Sequence, residues 1–325
     1  RARRGRGRAT CQAEGEAGKN SAMGATFKRR AVASMQALIL ITTANALSAT
    51  KKPSTQQPFL YDNAATLADR YADYRRHCDR CVADDAAFAT FKSAPAYRDI
   101  LEHLSEDQGR MYAHFVREAY ADLLGEAPLA AAVAAAARVG APPVIASYDG
   151  FDGAVSPTQL RYLKTLGDLR ALVGGALAGL RVLEIGGGYG GQAQLALAAD
   201  DAPAAWRVRD LDCAERLAAK YVDATLPAAA AARFATGAED EATDLFVSNY
   251  ALSELPRDVA AEYYALAEAA PFGYVTWNHG IHADAMPSGE FADRIAAARP
   301  GAAVAAADEC PPTAEGNVLI TWRPK

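Results

Sequence analysis

Leu183-Glu184-Ile185-Gly186-Gly187-Gly188-Tyr189-Gly190-Gly191-Gln192 is the stretch whose reading decides the fold. It follows the short apolar run Leu180-Arg181-Val182 and gives way to an Ala/Leu-rich segment from Gln192 to Ala199. An apolar run that ends in a carboxylate, breaks into glycines and resumes as an Ala/Leu-rich segment spells strand, tight loop and helix. Glycine suits such a loop because the turn calls for positive φ and because a Cβ would hold a bound group away from the backbone amides. The pattern is that of a nucleotide-cofactor loop.

Further strands follow it. Trp206 to Asp212 reads as a second strand ending in carboxylates, Arg233 to Thr236 as a weak third, Asp244 to Asn249 as a fourth and Gly273 to Asn278 as a fifth. Helices are expected at Glu215 to Tyr221 and Asp258 to Ala270, and Ala302 to Ala307 with Asn317 to Trp322 form a terminal strand pair. This alternation predicts an α/β fold, a Rossmann-like doubly wound sheet that closes with a C-terminal antiparallel hairpin. Upstream, Ser156 is placed as the N-cap and Pro157 as the first residue of a helix carrying Leu160, Leu163, Leu166, Leu169 and Leu172.

From Tyr61 to Leu124 the apolar residues recur at helical spacing, among them Tyr71, Tyr74, Phe88, Phe91, Tyr97, Tyr112 and Tyr120. A helix starts at Ser105-Glu106-Asp107-Gln108, and Gly125 followed by Pro128 is expected to end it. The expected organisation is a basic leader over residues 1–50, an N-terminal all-helical module over 51–145 and the sheet domain over 146–325. The alanine runs, such as Ala130 to Ala137, favour helix and say little else.

The leader carries nine Lys/Arg against two Asp/Glu, which leaves 25 against 37 in the rest of the chain. So acidic a body argues against nucleic acid as a partner. From Met23 the leader shows a basic head, Lys28-Arg29-Arg30, a short apolar stretch from Ala31 to Ile41, and Ala44-x-Ala46. That is a signal-peptide pattern implying the secretory pathway, with a plastid transit peptide or a cytoplasmic protein as alternatives. The apolar stretch is short of the ~20 residues a membrane span needs, so no stable span is expected after leader removal. Of five cysteines, Cys78 and Cys81 are the close pair. They sit in a helical pattern with no second pair to complete a zinc site, and no metal site is assigned.

Gly186, Gly188 and Gly191 satisfy G-x-G-x-x-G, and Asp210 lies nineteen residues beyond Gly191. A dinucleotide such as NAD would fit that spacing alone. Three features favour S-adenosylmethionine (SAM). Glu184, two residues before the first glycine, can orient the cationic methionine part of SAM, where dinucleotide loops keep an apolar residue. Asp210 is set to accept from the ribose diol. The sheet closes in a hairpin, leaving no downstream domain for a dehydrogenase substrate.

Ser156 to Lys164, Glu184 to Gln192, Asp210-Leu211, Asp244 to Leu255 and Gly273 to Asn278 occur in an order that resembles the sugar O-methyltransferase family of class I SAM-dependent enzymes. The resemblance extends from about Phe88 to Asn278 and takes in Phe91-Lys92 and Tyr97 to Glu102. It implies a class I methyltransferase sheet, SAM as cofactor and a sugar or glycoconjugate hydroxyl as methyl acceptor. Glu184, the loop residues Gly186, Gly187, Gly188, Tyr189 and Gly190, and Gln192 would surround the cofactor. So would Asp210, Thr158, Tyr162, Asn249 and Tyr250. Asp212 stands where the family has proline and becomes a second ribose candidate.

Transfer to a hydroxyl calls for a base. His279, after the fifth strand, is the preferred one, since imidazole titrates near neutral pH. His279 and His282 with Asp284 nearby are alternatively metal ligands or plain rim residues. Glu254 is a second candidate base or sugar-hydroxyl acceptor, or simply a first-turn carboxylate of the helix near Pro256. Arg161 can hold the SAM carboxylate bidentately or form a structural salt bridge. Trp206 and Trp277 are core residues or stacking platforms for a sugar.

Overall fold

Strands and helices alternate along the chain as the hydrophobic pattern predicts. The computed structural model describes residues 64–238, 242–278 and 285–325, with side chains from Tyr71 onward. The leader with its targeting pattern, and His279, His282 and Asp284, lie outside the described residues.

The main sheet has seven strands: β1 (Arg181–Ile185), β2 (Ala205–Arg209), β3 (Phe234–Thr236), β4 (Leu245–Asn249), β5 (Phe272–Trp277), β6 (Ala302–Asp308) and β7 (Val318–Pro324). Their order is β3-β2-β1-β4-β5-β7-β6. The first five run parallel, while β7 pairs antiparallel with β5 and β6 antiparallel with β7. The order reverses between β1 and β4, and ligands of open α/β sheets bind outside the carboxyl ends of the strands at such a switch point. This is the Rossmann-like class I methyltransferase sheet expected from the sequence, closed by its C-terminal antiparallel pair.

Side chains alternate across each strand. On β1, Leu183 and Ile185 join one core with Phe246, Tyr264, Phe291 and Trp322, covered by α7 (Arg257–Ala269) and α8 (Ser288–Ala298). Val182, and Glu184 by the same alternation, face the other side. There α4 (Pro157–Val173), α5 (Gly191–Ala198) and α6 (Asp212–Thr225) pack together with α1 (Ala64–Ala83), α2 (Glu106–Ala119) and α3 (Ala127–Arg138). The tyrosine face of the N-terminal helices is spent on this packing: Tyr74, Tyr97 and Tyr112 are buried in the same core as Trp206 and Val208 of β2. The described residues form one compact unit.

Several boundaries differ from the sequence reading. Helix α2 stops at Ala119, ahead of the Gly125 and Pro128 expected to end it. The chain makes a short 3₁₀ turn at Ala121–Gly125, and Pro128 sits in the first turn of α3, where its missing N–H costs nothing. The second strand ends at Arg209, and Asp212 opens α6. Its carboxylate is exposed and bound to Arg216 one turn on, the arrangement that suits an acid at a helix N-terminus.

Helix α4 begins as expected, with Ser156 Oγ accepting from the Gln159 N–H. It is buried on nearly every side, including its ionic residues. Lys164 Nζ lies 2.6 Å from Asp168 Oδ2. The Tyr274 hydroxyl of β5 donates to that same oxygen at 2.7 Å and accepts from Lys164 at 3.2 Å, and the Tyr120 hydroxyl donates to Asp168 Oδ1. Removing either Lys164 or Asp168 leaves a buried charge uncompensated, at a cost of about 3–5 kcal/mol. Lys164→Met is therefore expected to lower the unfolding free energy by that order. The double variant K164M/D168L should lose clearly less than the two singles combined, as measured by urea denaturation.

Candidate active site

The loop between β1 and α5 is built from backbone. The Gly186 N–H donates to the Arg209 carbonyl at 2.9 Å, carrying the β1–β2 ladder past the strand end, and the Gly190 N–H donates to the Gly187 carbonyl at 2.9 Å. Gly188 donates its N–H to Asp210 Oδ2 at 2.8 Å. Gly186 and Gly188 show why the loop needs glycine. Gly186 has φ +78°, and a Cβ there would fall 2.0 Å from the Ala251 Cβ, so the turn after β4 rests directly on the loop. Gly188 has φ +56°, and its Cβ would meet Leu101 Cδ1 at 2.9 Å, which brings the N-terminal helical region over the loop as well.

Two carboxylates lie under the loop. Glu184 is 2% exposed and accepts from the Trp206 indole N–H at 2.9 Å. Burial pushes it up to about 7, with the Trp206 bond opposing and Asp210 adding to the rise. Asp210 is raised by burial to about 6, held back by the N–H groups of Leu211 and Gly188. Its Oδ1 accepts from Leu211 at 2.6 Å, and its own N–H is held by Glu215 at 3.0 Å. Asp210 thus fixes the loop to the end of β2, and each oxygen keeps a second lone pair. Asp212 is not brought to this pair, since its side chain is exposed to solvent on α6.

The turn after β4 forms the second wall. Tyr250 adopts φ +74°, rare for a residue with a Cβ and a form of backbone strain that gathers at functional sites. Its N–H donates to the Thr276 carbonyl at 2.8 Å. Its hydroxyl donates to Glu309 and lies 2.7 Å from Thr313 Oγ1. Asn249 Oδ1 accepts from Thr276 at 3.3 Å, while its Nδ2 is buried with no partner among the described residues. Glu254 closes the short helix Ala251–Glu254, so it is not a first-turn carboxylate of α7. Its Oε1 accepts from Asn278 Nδ2 at 2.7 Å and its Oε2 from the Tyr71 hydroxyl at 2.8 Å, bracing α1 against the end of β5.

Because β7 runs antiparallel to β5, the β6–β7 loop arrives at this same rim. Glu309 accepts from the Thr313 N–H and Oγ1, both at 2.9 Å, and from Asn317 Nδ2 at 3.0 Å. Thr313 also meets Tyr112 Oη at 2.7 Å and takes a bond from Gln108 at 2.9 Å, both on α2. The loop lines an open cavity of about 590 Å³ that includes Glu309, Thr313, Glu315 and Asn317.

Arg161 lies between these walls. It is 6% exposed, with Cζ 5.1 Å from the Tyr250 ring and 5.6 Å from the Tyr162 ring. Among the described residues no carboxylate comes within ion-pair distance of it, so the structural salt bridge considered from the sequence does not form there. Thr158, one turn earlier, is 1% exposed.

Two residues expected at the cofactor turn elsewhere. The Tyr189 ring is fully buried against Phe91, Tyr97, Tyr162 and Tyr221, with Lys92 Nζ 4.5 Å from its centroid. Gln192 donates through Nε2 to the Tyr162 carbonyl at 3.2 Å, tying α5 to α4. Trp277 stacks on Phe291 in the core. Cys78, Cys81 and Cys213 are buried free thiols, and burial raises Cys81 to about 11 and Cys78 further. Among the described residues no His/Cys/Asp/Glu group is arranged to hold a metal, and no helix is long and apolar enough to cross a membrane. The sequence pattern does not point to Trp206 as the partner of Glu184, nor to Tyr71, Tyr112, Glu309 and Thr313. Only the known strand order would have placed the last hairpin at this rim.

No family model matches the chain, and no curated protein matches it. Solved structures that resemble it over half its length include the methyltransferase domain of bacterial CtHen1, 13% identical with a TM-score of 0.39, covering 50% of this chain and 97% of that one. A second is magnesium protoporphyrin IX methyltransferase from Synechocystis PCC 6803 with bound SAM, 17% identical, TM-score 0.38, covering 51% and 79%. A third is the [4+2]-cyclase SpnF, 14% identical, TM-score 0.39, covering 52% and 82%. Strand order, antiparallel β7 and the glycine loop define the class, the SAM-dependent methyltransferase fold.

The contact between loop and post-β4 turn is open to test. Gly186→Ala should cost about 2–4 kcal/mol from positive φ and overpacking together. Ala251→Gly added to it should recover the overpacking part and leave the backbone strain, as read from melting temperatures of the single and double variants.

Proposed function

We propose that this chain is a SAM-dependent O-methyltransferase that moves a methyl group to a hydroxyl of a sugar or glycoconjugate. The observation that carries the reading is Arg161, a buried guanidinium without an ion-pair partner, placed between a glycine loop pinned by Asp210 and the strained Tyr250. SAM supplies an electrophilic methyl group on a sulfonium centre. The residues present fit such a group: Asp210 for the ribose diol, Arg161 for the methionyl carboxylate, and Glu184 for the positive charge. Tyr250 and Asn249 face the transfer point from the end of β4, where the unpartnered Asn249 Nδ2 is a donor for the ligand.

The acceptor oxygen must be positioned and lose its proton. His279 is the base in this reading, following Asn278 at the end of β5. Glu254 and Asn278 act as hydrogen-bonding partners for acceptor hydroxyls. The sugar assignment is supported by the rim chemistry: the Glu254 carboxylate beside the Asn278 amide offers the mixed acceptor and donor groups that suit a polyhydroxyl ligand. The leader from Met23 puts the reaction in the secretory pathway, where SAM would have to be imported.

Calorimetric titration with SAM, its demethylated product and NAD tests the cofactor. Saturable binding of the first two and none of NAD is expected, and the reverse would falsify the reading. Labelled methyl transfer from SAM into fractionated glycans tests the acceptor, with His279→Ala expected to slow turnover ~10²-fold or more. Binding without transfer to any fraction would identify a non-catalytic SAM-fold protein instead.

A cationic ligand favours ionised carboxylates. With Glu184 raised to about 7 and Asp210 to about 6, SAM affinity should be full above pH 8 and fall as pH drops through 7 and 6. Glu184→Gln should bind more weakly at pH 8 and lose the upper part of that dependence.

A further inference from the structure

We infer that Glu102, a carboxylate of the N-terminal helical region, is the counter-charge for the ammonium of the methyl donor's amino-acid end, with Arg161 holding the carboxylate of that same end. The inference rests on the SAM reading and adds to it a residue from outside the sheet.

Glu102 is 4% exposed, and its Oε1 is fully buried without a hydrogen-bond partner among the described residues. Leaving a buried carboxylate oxygen unbonded is costly, so such groups in folded proteins point to a ligand or a functional role. The cation that acts on it most is Lys92, whose Nζ donates to the Ala136 carbonyl at 3.2 Å and lies over the Tyr189 and Tyr221 rings at 4.5 and 4.7 Å. Lys92 is thereby engaged elsewhere and makes no ion pair with Glu102 within 4 Å.

The placement is suitable. Leu101, the preceding residue, sits against Gly188 of the loop. The Thr158 and Tyr189 hydroxyls reach toward the Glu102 carboxylate and the Arg161 charge acts on it, which sets it between the first turn of α4 and the glycine loop, with Oε1 the oxygen left over. Thr158 and Arg161 are three residues apart and share one face of α4. An α-amino acid end presents an ammonium and a carboxylate on one carbon, and Glu102 and Arg161 present the opposite charges without an ion-pair partner. Glu184 is less suited to the ammonium, because one of its oxygens is already bound to Trp206.

The test compares the demethylated product with methylthioadenosine, which keeps the adenosine and the sulfur but lacks the amino-acid end. Titrated calorimetrically into the full chain, Glu102→Gln should weaken product binding about tenfold or more while leaving methylthioadenosine within about twofold of the wild-type protein. Equal loss for both ligands would mean a structural role, and unchanged product binding would remove Glu102 from the site; either overturns the inference. Should E102Q fail to fold by circular dichroism, the wild-type chain is titrated with a product analogue lacking only the α-amino group. That analogue should bind about tenfold more weakly than the product, and equal affinity overturns the inference. A wild-type chain that binds methylthioadenosine and product with no saturation rejects the SAM reading itself, and the role of Glu102 with it.

Discussion

Helix α4 is enclosed on both sides, and the polar side chains it carries must find partners inside the protein. At its carboxyl half the requirement is met by Lys164, Asp168, Tyr120 and Tyr274, a closed set drawn from α4, the N-terminal helices and β5. At its amino half it is not met by the protein alone. Thr158 and Arg161 belong to the same buried helix, yet among the described residues the guanidinium lies by the Tyr162 and Tyr250 rings with no carboxylate at ion-pair distance. One half of the helix is a structural beam and the other a binding wall, and the rigidity of the first positions the second.

The same division holds across the crevice. Asp210 is occupied with backbone amides of the loop, which makes it a fastener before it is anything else. Glu184 is set below the loop by strand alternation and steadied by Trp206. Tyr250 is held in an unfavourable backbone conformation by bonds that come from the far end of the chain. Such restraint suits methyl transfer, where the gain comes from holding reacting atoms in line.

Most of the sheet was legible in the sequence because strands and helices of a doubly wound fold carry strong, distinct periodicities, and Gly186 to Gly191 mark the turn between two of them. Caps were legible too, as at Ser156 and Pro157. Boundaries that depend on a single side-chain choice were not: Asp212 reads equally well as a strand end or a helix start until its pairing with Arg216 is seen. For the site, spacing located the backbone of the loop but not the direction of its side chains. Tyr189 lies within the glycine run yet turns its ring into the core, because Phe91 and Tyr97 of the N-terminal helical region meet Tyr162 of α4 and Tyr221 of α6 there. Glu309 carried no local signal, since what distinguishes it is distant in sequence.

That distance has a kinetic side. The cluster over Tyr250 joins Tyr112 to Thr313 across 201 positions and Tyr250 to Thr313 across 63. Contacts so far apart form only after the entropy of closing long loops has been overcome, and on a growing chain they wait for the last hairpin to emerge. The glycine loop and its neighbours can fold early as a local βαβ unit. The acceptor rim is completed last, so a nascent chain acquires the wall for the donor before it acquires the wall for the acceptor.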